Sequence, residues 1–164
     1  MLYILLGIGI FIIIIFILRL ISKKRIKDYD QKLNICFDEI ESVLDSKSSL
    51  IQITIKAINN KKLIQSFKTN IEENIFEKDD FLYDFVGNIK KSLEKKKKKD
   101  LKVNDYMKEI DLLDEDLEGL KNYYNSNASK YNYMLDSKVF KIFYVICKLN
   151  KKEVFKLRKL EEYE

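Results

Sequence analysis

Asp111, Asp114, Glu115 and Glu118 stand three and four residues apart in "DLLDEDLE". Carboxylates at that spacing share one face of a helix. In four-helix proteins such stripes hold paired metal ions when a Glu-x-x-His motif completes the ligand set. The chain contains no His, and the apolar pattern turns Leu113 and Leu117 inward with the acids beside them. The stripe therefore reads as a solvated face paired with lysines of another helix. Lacking His, the chain also lacks the commonest general base and zinc ligand. Two cysteines, Cys36 and Cys147, cannot make a four-thiolate site, and read as buried thiols that behave as small apolar groups. Neither a phosphate-binding glycine loop nor a dinucleotide fingerprint is present. No catalytic residue, metal or cofactor is assigned, and the chain is expected not to be an enzyme.

Two polar features remain. Tyr124-Asn125 and Tyr131-Asn132 are the same pair repeated after seven residues, which is within 20° of two helical turns. Both tyrosines thus fall on one face with an asparagine beside each. A tyrosine on an apolar seam buries its ring and must satisfy its hydroxyl. Asparagine is a poor helix former, so its repeated use at a core edge suggests hydrogen bonds to a neighbouring helix. The second feature is Lys47, which occupies a core position of an apolar seam within "DSKSS". A locally wet helix is the plain reading; a polar layer that sets helix register or serves a function is the other.

The elements that position these residues read as helices throughout. The chain has no Pro and four Gly in 164 residues, and both facts favour long uninterrupted helices. Met1 to Leu18 carries no charge; with Leu20 and Ile21 it reaches the ~20 residues that cross hydrocarbon as a helix. It has no basic leader and no small-residue cleavage site, so it reads as an anchor, not a signal peptide. Arg19, Lys23, Lys24, Arg25 and Lys27 follow it before the first acid. Of 31 basic residues these five leave 26, against 26 acidic, so the whole positive excess lies next to the apolar segment. That argues against a nucleic-acid face. It predicts a cytoplasmic C-terminal side, an outer N-terminus and attraction to anionic lipid head groups.

The expected architecture is all-α: a transmembrane helix over 1–22, then an antiparallel up-and-down four-helix bundle over 23–164. Its helices are expected over about 24–58, 61–94, 102–136 and 138–160. Ile26, Tyr29, Leu33, Cys36, Ile40 and Val43 mark the first seam, and Asn59-Asn60 the turn that ends it. Asp79-Asp80 is a rival break in the second helix. The third shows Tyr106, Ile110, Leu113, Leu117, Leu120, Tyr124, Ala128, Tyr131 and Leu135, with a stutter at Tyr124. Val154, Phe155, Leu157 and Leu160 give the fourth its amphipathic end. Short connections make successive helices antiparallel. The first then climbs away from the anchor, the second returns and the third climbs. This ordering puts the Tyr-Asn pairs at the far end, level with Lys47. It puts the run Lys95, Lys96, Lys97, Lys98 and Lys99 near the bilayer, as a lipid-contacting loop or simply a solvated one.

The repeated Tyr-Asn motif resembles the LemA family, and "LKVND" (101–105) resembles that family's L-K-A-N stretch. "FDEIESVLDSKSSLIQITI" (37–55) is similar to its first-helix segment, with Lys47, Leu50 and Ile51 matching. Gln52, Ser46, Ser49 and Lys138-Val139 stand where the family carries Pro, Arg, Asp and Phe-Pro. The resemblance implies a membrane-anchored helical bundle whose polar cluster comprises Tyr124, Asn125, Tyr131, Asn132 and Lys47. The expected function is a scaffold or interaction module at the cytoplasmic membrane surface, with an unidentified protein partner. The alternative is a ligand-binding or membrane-state sensor built on that cluster.

Overall fold

A computed structural model describes residues 2–69, 74–96, 101–137 and 149–158. Among these, all regular structure is helical: α1 (Leu2–Ile58), α2 (Lys61–Thr69), α3 (Ile75–Lys96) and α4 (Leu101–Asp136). The described residues form two compact units. One comprises Met1–Cys36 with Tyr124–Val154, the other Phe37–Tyr123 with Phe155–Glu164.

α1 is unbroken for 57 residues, about 85 Å at 1.5 Å per residue. No Pro interrupts it, and the basic residues after the apolar stretch are good helix formers. From Tyr3 to Ile21, no described side chain is buried; the large apolar ones stay about half exposed on every face. A helix apolar all round that buries none of that surface in the protein has the length and composition to cross a membrane. Arg19, Lys23, Lys24, Arg25 and Lys27 are exposed around the same helix.

The α1–α2 junction uses its two asparagines in different ways. Asn59 takes φ 52°, the left-handed conformation that closes a helix, and its N–H bonds to the Lys56 carbonyl at 3.0 Å. Asn60 opens α2: its side-chain oxygen accepts from the N–H groups of Lys62 (3.1 Å) and Leu63 (3.4 Å). Asn74 repeats that cap for α3, accepting from Phe76 at 2.9 Å and Glu77 at 3.5 Å. The single helix expected over 61–94 is therefore two. The break is set at Asn74, ahead of Asp79-Asp80, which lie inside α3.

That cap changes every later direction. In the second unit, Lys78 pairs with Asp45 and Asn60 Nδ2 donates to Ser92 Oγ at 3.4 Å. So α3 runs the same way as the 37–58 part of α1. Lys90 meets Asp111 at 3.1 Å and Asp79 meets Lys121 at 3.2 Å, so α4 runs against α3. α4 thus runs opposite to the direction expected of the third helix. The end of α3 lies beside Asn60. Of the lysine run, Lys95 and Lys96 close α3, while Lys97, Lys98 and Lys99 lie outside the described residues. The Tyr-Asn pairs fall in the unit that holds Met1–Cys36, not at the far end of α1.

The last expected helix, 138–160, is only partly described. Residues 149–158 form no helix. Of its expected apolar face, Val154 and Leu157 are half exposed and Phe155 is buried, while Leu160 lies outside the described residues. The physical reason lies in who satisfies this backbone: side chains of α4 bond to it, as the site shows.

Candidate functional site: a buried ionic layer and the segment laid on it

The buried residues of α4 in the second unit are Val103, Met107, Ile110, Leu117, Glu118 and Lys121, and all but Glu118 keep one heptad spacing. Asp114, with its side chain 19% exposed, fills the gap at the next heptad position. The intervals are 4, 3, 4, 3 and 4, and a step of 3 leads on to Tyr124. The expected stutter is absent. It arose from assigning the core to Leu113 and Leu120, which are only half-buried, in place of the charged Asp114 and Lys121.

Lys47 of α1 is fully buried and its ammonium bonds to Asp114. It is a dry ionic contact and not a wet stretch of helix. Burial holds its pKa below the usual lysine value, with Asp114 opposing that shift. Lys121 is equally buried. Its Nζ contacts Asp79 Oδ2 at 3.2 Å and bonds to Glu118, three residues back on the same helix. Asp79, 1% exposed, also receives Arg158 Nη1, 3.2 Å from both carboxylate oxygens. Asp80 binds Arg158 Nη2 and Lys156 Nζ. The Lys156 hydrogen bond holds the Asp80 carboxyl below its ordinary range. Of the acidic stripe, Asp111 and Asp114 pair with lysines of other helices as expected, whereas Asp114 and Glu118 face inward.

Four carboxylates (Asp79, Asp80, Asp114 and Glu118) thus meet four cations (Lys47, Lys121, Lys156 and Arg158), and the layer is neutral. Every buried side-chain nitrogen and oxygen among the described residues has a hydrogen-bond partner. Each of the four carboxylates is engaged by an ammonium or guanidinium. Among the described residues no cluster of three or more acidic, Cys or His groups is arranged to hold a metal ion. Such an arrangement fixes geometry and reads a complementary charge.

Residues 155–158 complete the layer. Phe155 is buried and packs on Phe76 (4.4 Å between centroids) and Phe37 (6.2 Å). The Lys156 carbonyl accepts from Lys121 Nζ at 3.4 Å, and Arg158 N–H donates to Glu118 Oε2 at 3.2 Å. The Arg158 guanidinium lies over the Tyr83 ring at 4.1 Å.

In the first unit the Tyr-Asn motif has its own geometry. Tyr124 and Tyr131 are buried, and Asn125 and Asn132 half-buried. Asn132 Oδ1 accepts from Lys152 N–H and Asn132 Nδ2 donates to the Lys152 carbonyl, both at 2.8 Å. One side-chain amide thereby pairs with a residue's backbone as a neighbouring strand would. The Lys152 ammonium then reaches Asp30 at 2.8 Å and Asn34 at 3.3 Å, over the Tyr131 ring at 6.0 Å. Burial pushes the Tyr124 phenol up to about 12. So Asn132 grips an irregular segment and not the neighbouring helix that its position suggested. Lys47 belongs to one unit and the four Tyr-Asn residues to the other.

The sequence reading marks Asp79-Asp80 only as a rival helix break and does not mark Lys121 or Arg158. A strict heptad through Ile110, Leu117 and Tyr124 marks Asp114 and Lys121; Asp79 and Arg158 carry no local signal. No family model matches the chain, nor does any curated protein or solved structure.

Proposed function

We propose that the chain is a LemA-like, membrane-anchored module that works by binding and not by catalysis. In this reading residues 1–22 cross the bilayer once. The basic cluster from Arg19 to Lys27 keeps the remainder on the cytoplasmic side, against anionic head groups. The carrying observation is the contrast along α1. Its first third leaves large apolar side chains exposed on every face, while from Ile26 onward it buries one stripe against protein. The repeated Tyr-Asn pattern supports the family. The self-neutralised ionic layer supports a scaffold that presents a fixed surface to a protein partner.

Extraction of membranes at alkaline pH tests the anchor: the full chain is expected in the pellet, and protease outside intact cells leaves its helical part whole. Recovery in the soluble fraction, or trimming from outside, overturns it. A second reading, a small-ligand or sensor module, is favoured by one feature. A depression of about 260 Å³ lies against Asp114, lined also by Tyr83, Asp84, Lys90 and Lys91. Under that reading the Lys90→Ala/Lys91→Ala variant loses a ligand-dependent rise in melting temperature that the scaffold reading does not contain.

A further inference from the structure

A segment outside helix and strand has no regular internal hydrogen bonds, so its polar backbone must find partners elsewhere. Residues 155–158 find theirs on helices: Lys121 Nζ donates to the Lys156 carbonyl and Glu118 accepts the Arg158 N–H. Its first and last side chains are held, and the two between them are exposed. Phe155 is buried among aromatic rings, Leu157 is half exposed, and Arg158 is held by Asp79, Asp80 and Tyr83. Backbone bonds plus pockets for selected side chains is how proteins receive peptides. Electrostatics specifies the ligand further. Without this segment the layer would keep four carboxylates against two cations, Lys47 and Lys121. The two missing charges are those of Lys156 and Arg158. A ligand that fills the aromatic pocket but lacks the guanidinium leaves the buried Asp79 carboxylate undercompensated, and one that lacks the ammonium leaves the partly exposed Asp80 with fewer cations.

We propose that the face formed by Phe37, Phe76, Asp79, Asp80, Tyr83 and Glu118 is a peptide-recognition site for an extended Phe-Lys-x-Arg segment. The chain's own 155–158 is its ligand bound in cis. A segment of the same chemistry in another protein exchanges with it. This names the partner class for the interaction module proposed above, and rests on that reading only for its location at a membrane.

The exchange is measured with the full chain in detergent micelles. The probe is a fluorescent peptide of Val154 to Lys159, read by anisotropy. In the wild type the tethered segment competes at high effective concentration, so the probe binds weakly. The Phe155→Ala/Arg158→Ala variant is expected to bind it at least about tenfold more tightly, since aromatic and arginine anchors dominate such contacts. Adding Asp80→Asn to that variant reverses the gain, and a probe with Arg158→Ala does not bind. If the variant keeps its helical circular dichroism but binds the probe no better than the wild type, the proposal fails. Should that variant lose its fold, a second chain keeps the wild-type face and carries a protease site inserted between Asp136 and Leu149. After cleavage the tail is expected to stay bound and to leave only when excess probe is added. Immediate loss of the tail, or equal displacement by a scrambled probe, overturns the proposal. Flotation of the same proteins with anionic vesicles tests the anchor separately. A chain that exchanges peptide but does not float refutes the membrane reading and leaves the recognition site standing.

Discussion

In one unit Lys152 is held through its backbone by a neutral amide, with both Asn132 bonds at 2.8 Å. In the other, Arg158 is held chiefly through its side chain by Asp79 and Asp80. The two grips act on one ten-residue stretch, yet they differ in what they demand. An amide pair recognises any residue's backbone and has no charge to screen or titrate. The carboxylate pair demands a guanidinium and, because Asp79 is buried, is costly when the guanidinium is missing. Specificity therefore resides in the ionic grip and tolerance in the amide grip.

The largest effect should come from breaking the ionic grip at its most buried point. Asp79 is 1% exposed and serves both Lys121 and Arg158. Asp79→Asn leaves the fully buried Lys121 with Glu118 as its one carboxylate among the described residues, and is expected to cost about 3–5 kcal/mol. Urea unfolding of the full chain in micelles, followed by helical circular dichroism, reads this out. Pairing the change with Lys121→Met should recover most of the loss, since removing both members of a buried pair is far cheaper than removing one. No recovery would mean that the layer is held by packing and not by charge.

Asn132→Ala attacks the other grip. It removes two hydrogen bonds from a half-buried backbone that water can partly re-satisfy, so roughly 2 kcal/mol is expected. The loss should be the same in 50 mM and in 500 mM salt (both about, chosen to span the screening range). A loss that shrinks with salt would show that the Lys152 ammonium contacts carry this grip instead.

How far these grips were legible in the sequence depends on the range of the interaction. Asn59 ended α1 where it was expected because a left-handed asparagine is a local device. Asn74 with Glu77 three residues on is also a local helix-start pattern. The apolar spacing continues across it and hides the reversal, which inverts every direction after it. Lys47 is visible as a charge in an apolar register; its partner is not, because an all-apolar core places Asp114 on the outer face. Val154, Phe155 and Leu157 suggested a helix, but helix propensity yields when other side chains claim the backbone. Nothing local to Asp79 or Arg158 announces a contact made across 79 residues.

pH separates the two units in opposite directions. Asp80 has a depressed folded pKa, caused first by Lys156. Its contribution is complete above the ordinary carboxylate value of about 3.9 and is lost as pH falls through the lower folded value. Tyr124 has a folded pKa raised to about 12 by burial. Its contribution is complete below the ordinary tyrosine value of about 10 and disappears as pH rises from there toward 12. Asp80→Asn should therefore flatten the acid limb of a stability-against-pH curve and leave the alkaline limb alone. Tyr124→Phe should flatten the alkaline limb only. A single variant that altered both limbs would show that the two regions do not titrate independently.

The smallest expected effect decides whether charge or burial makes the ionic grip strong. Lys151 and Asp136 form a pair at 2.8 Å in the first unit, with side chains 55% and 60% exposed. The pairing chemistry is that of the ionic layer and the distance is shorter than that between Lys121 and Asp79, but water reaches both groups. Solvent screening and the entropy of two long side chains offset most of the attraction, so Asp136→Asn should change stability by no more than about 0.5 kcal/mol. It should also leave the Asn132 bonds to Lys152 intact, because those are made by backbone atoms one residue away. If Asp136→Asn cost as much as Asn132→Ala, the ammonium of Lys151 would be positioning the segment, and the division between a tolerant backbone grip and a selective charged one would have to be abandoned.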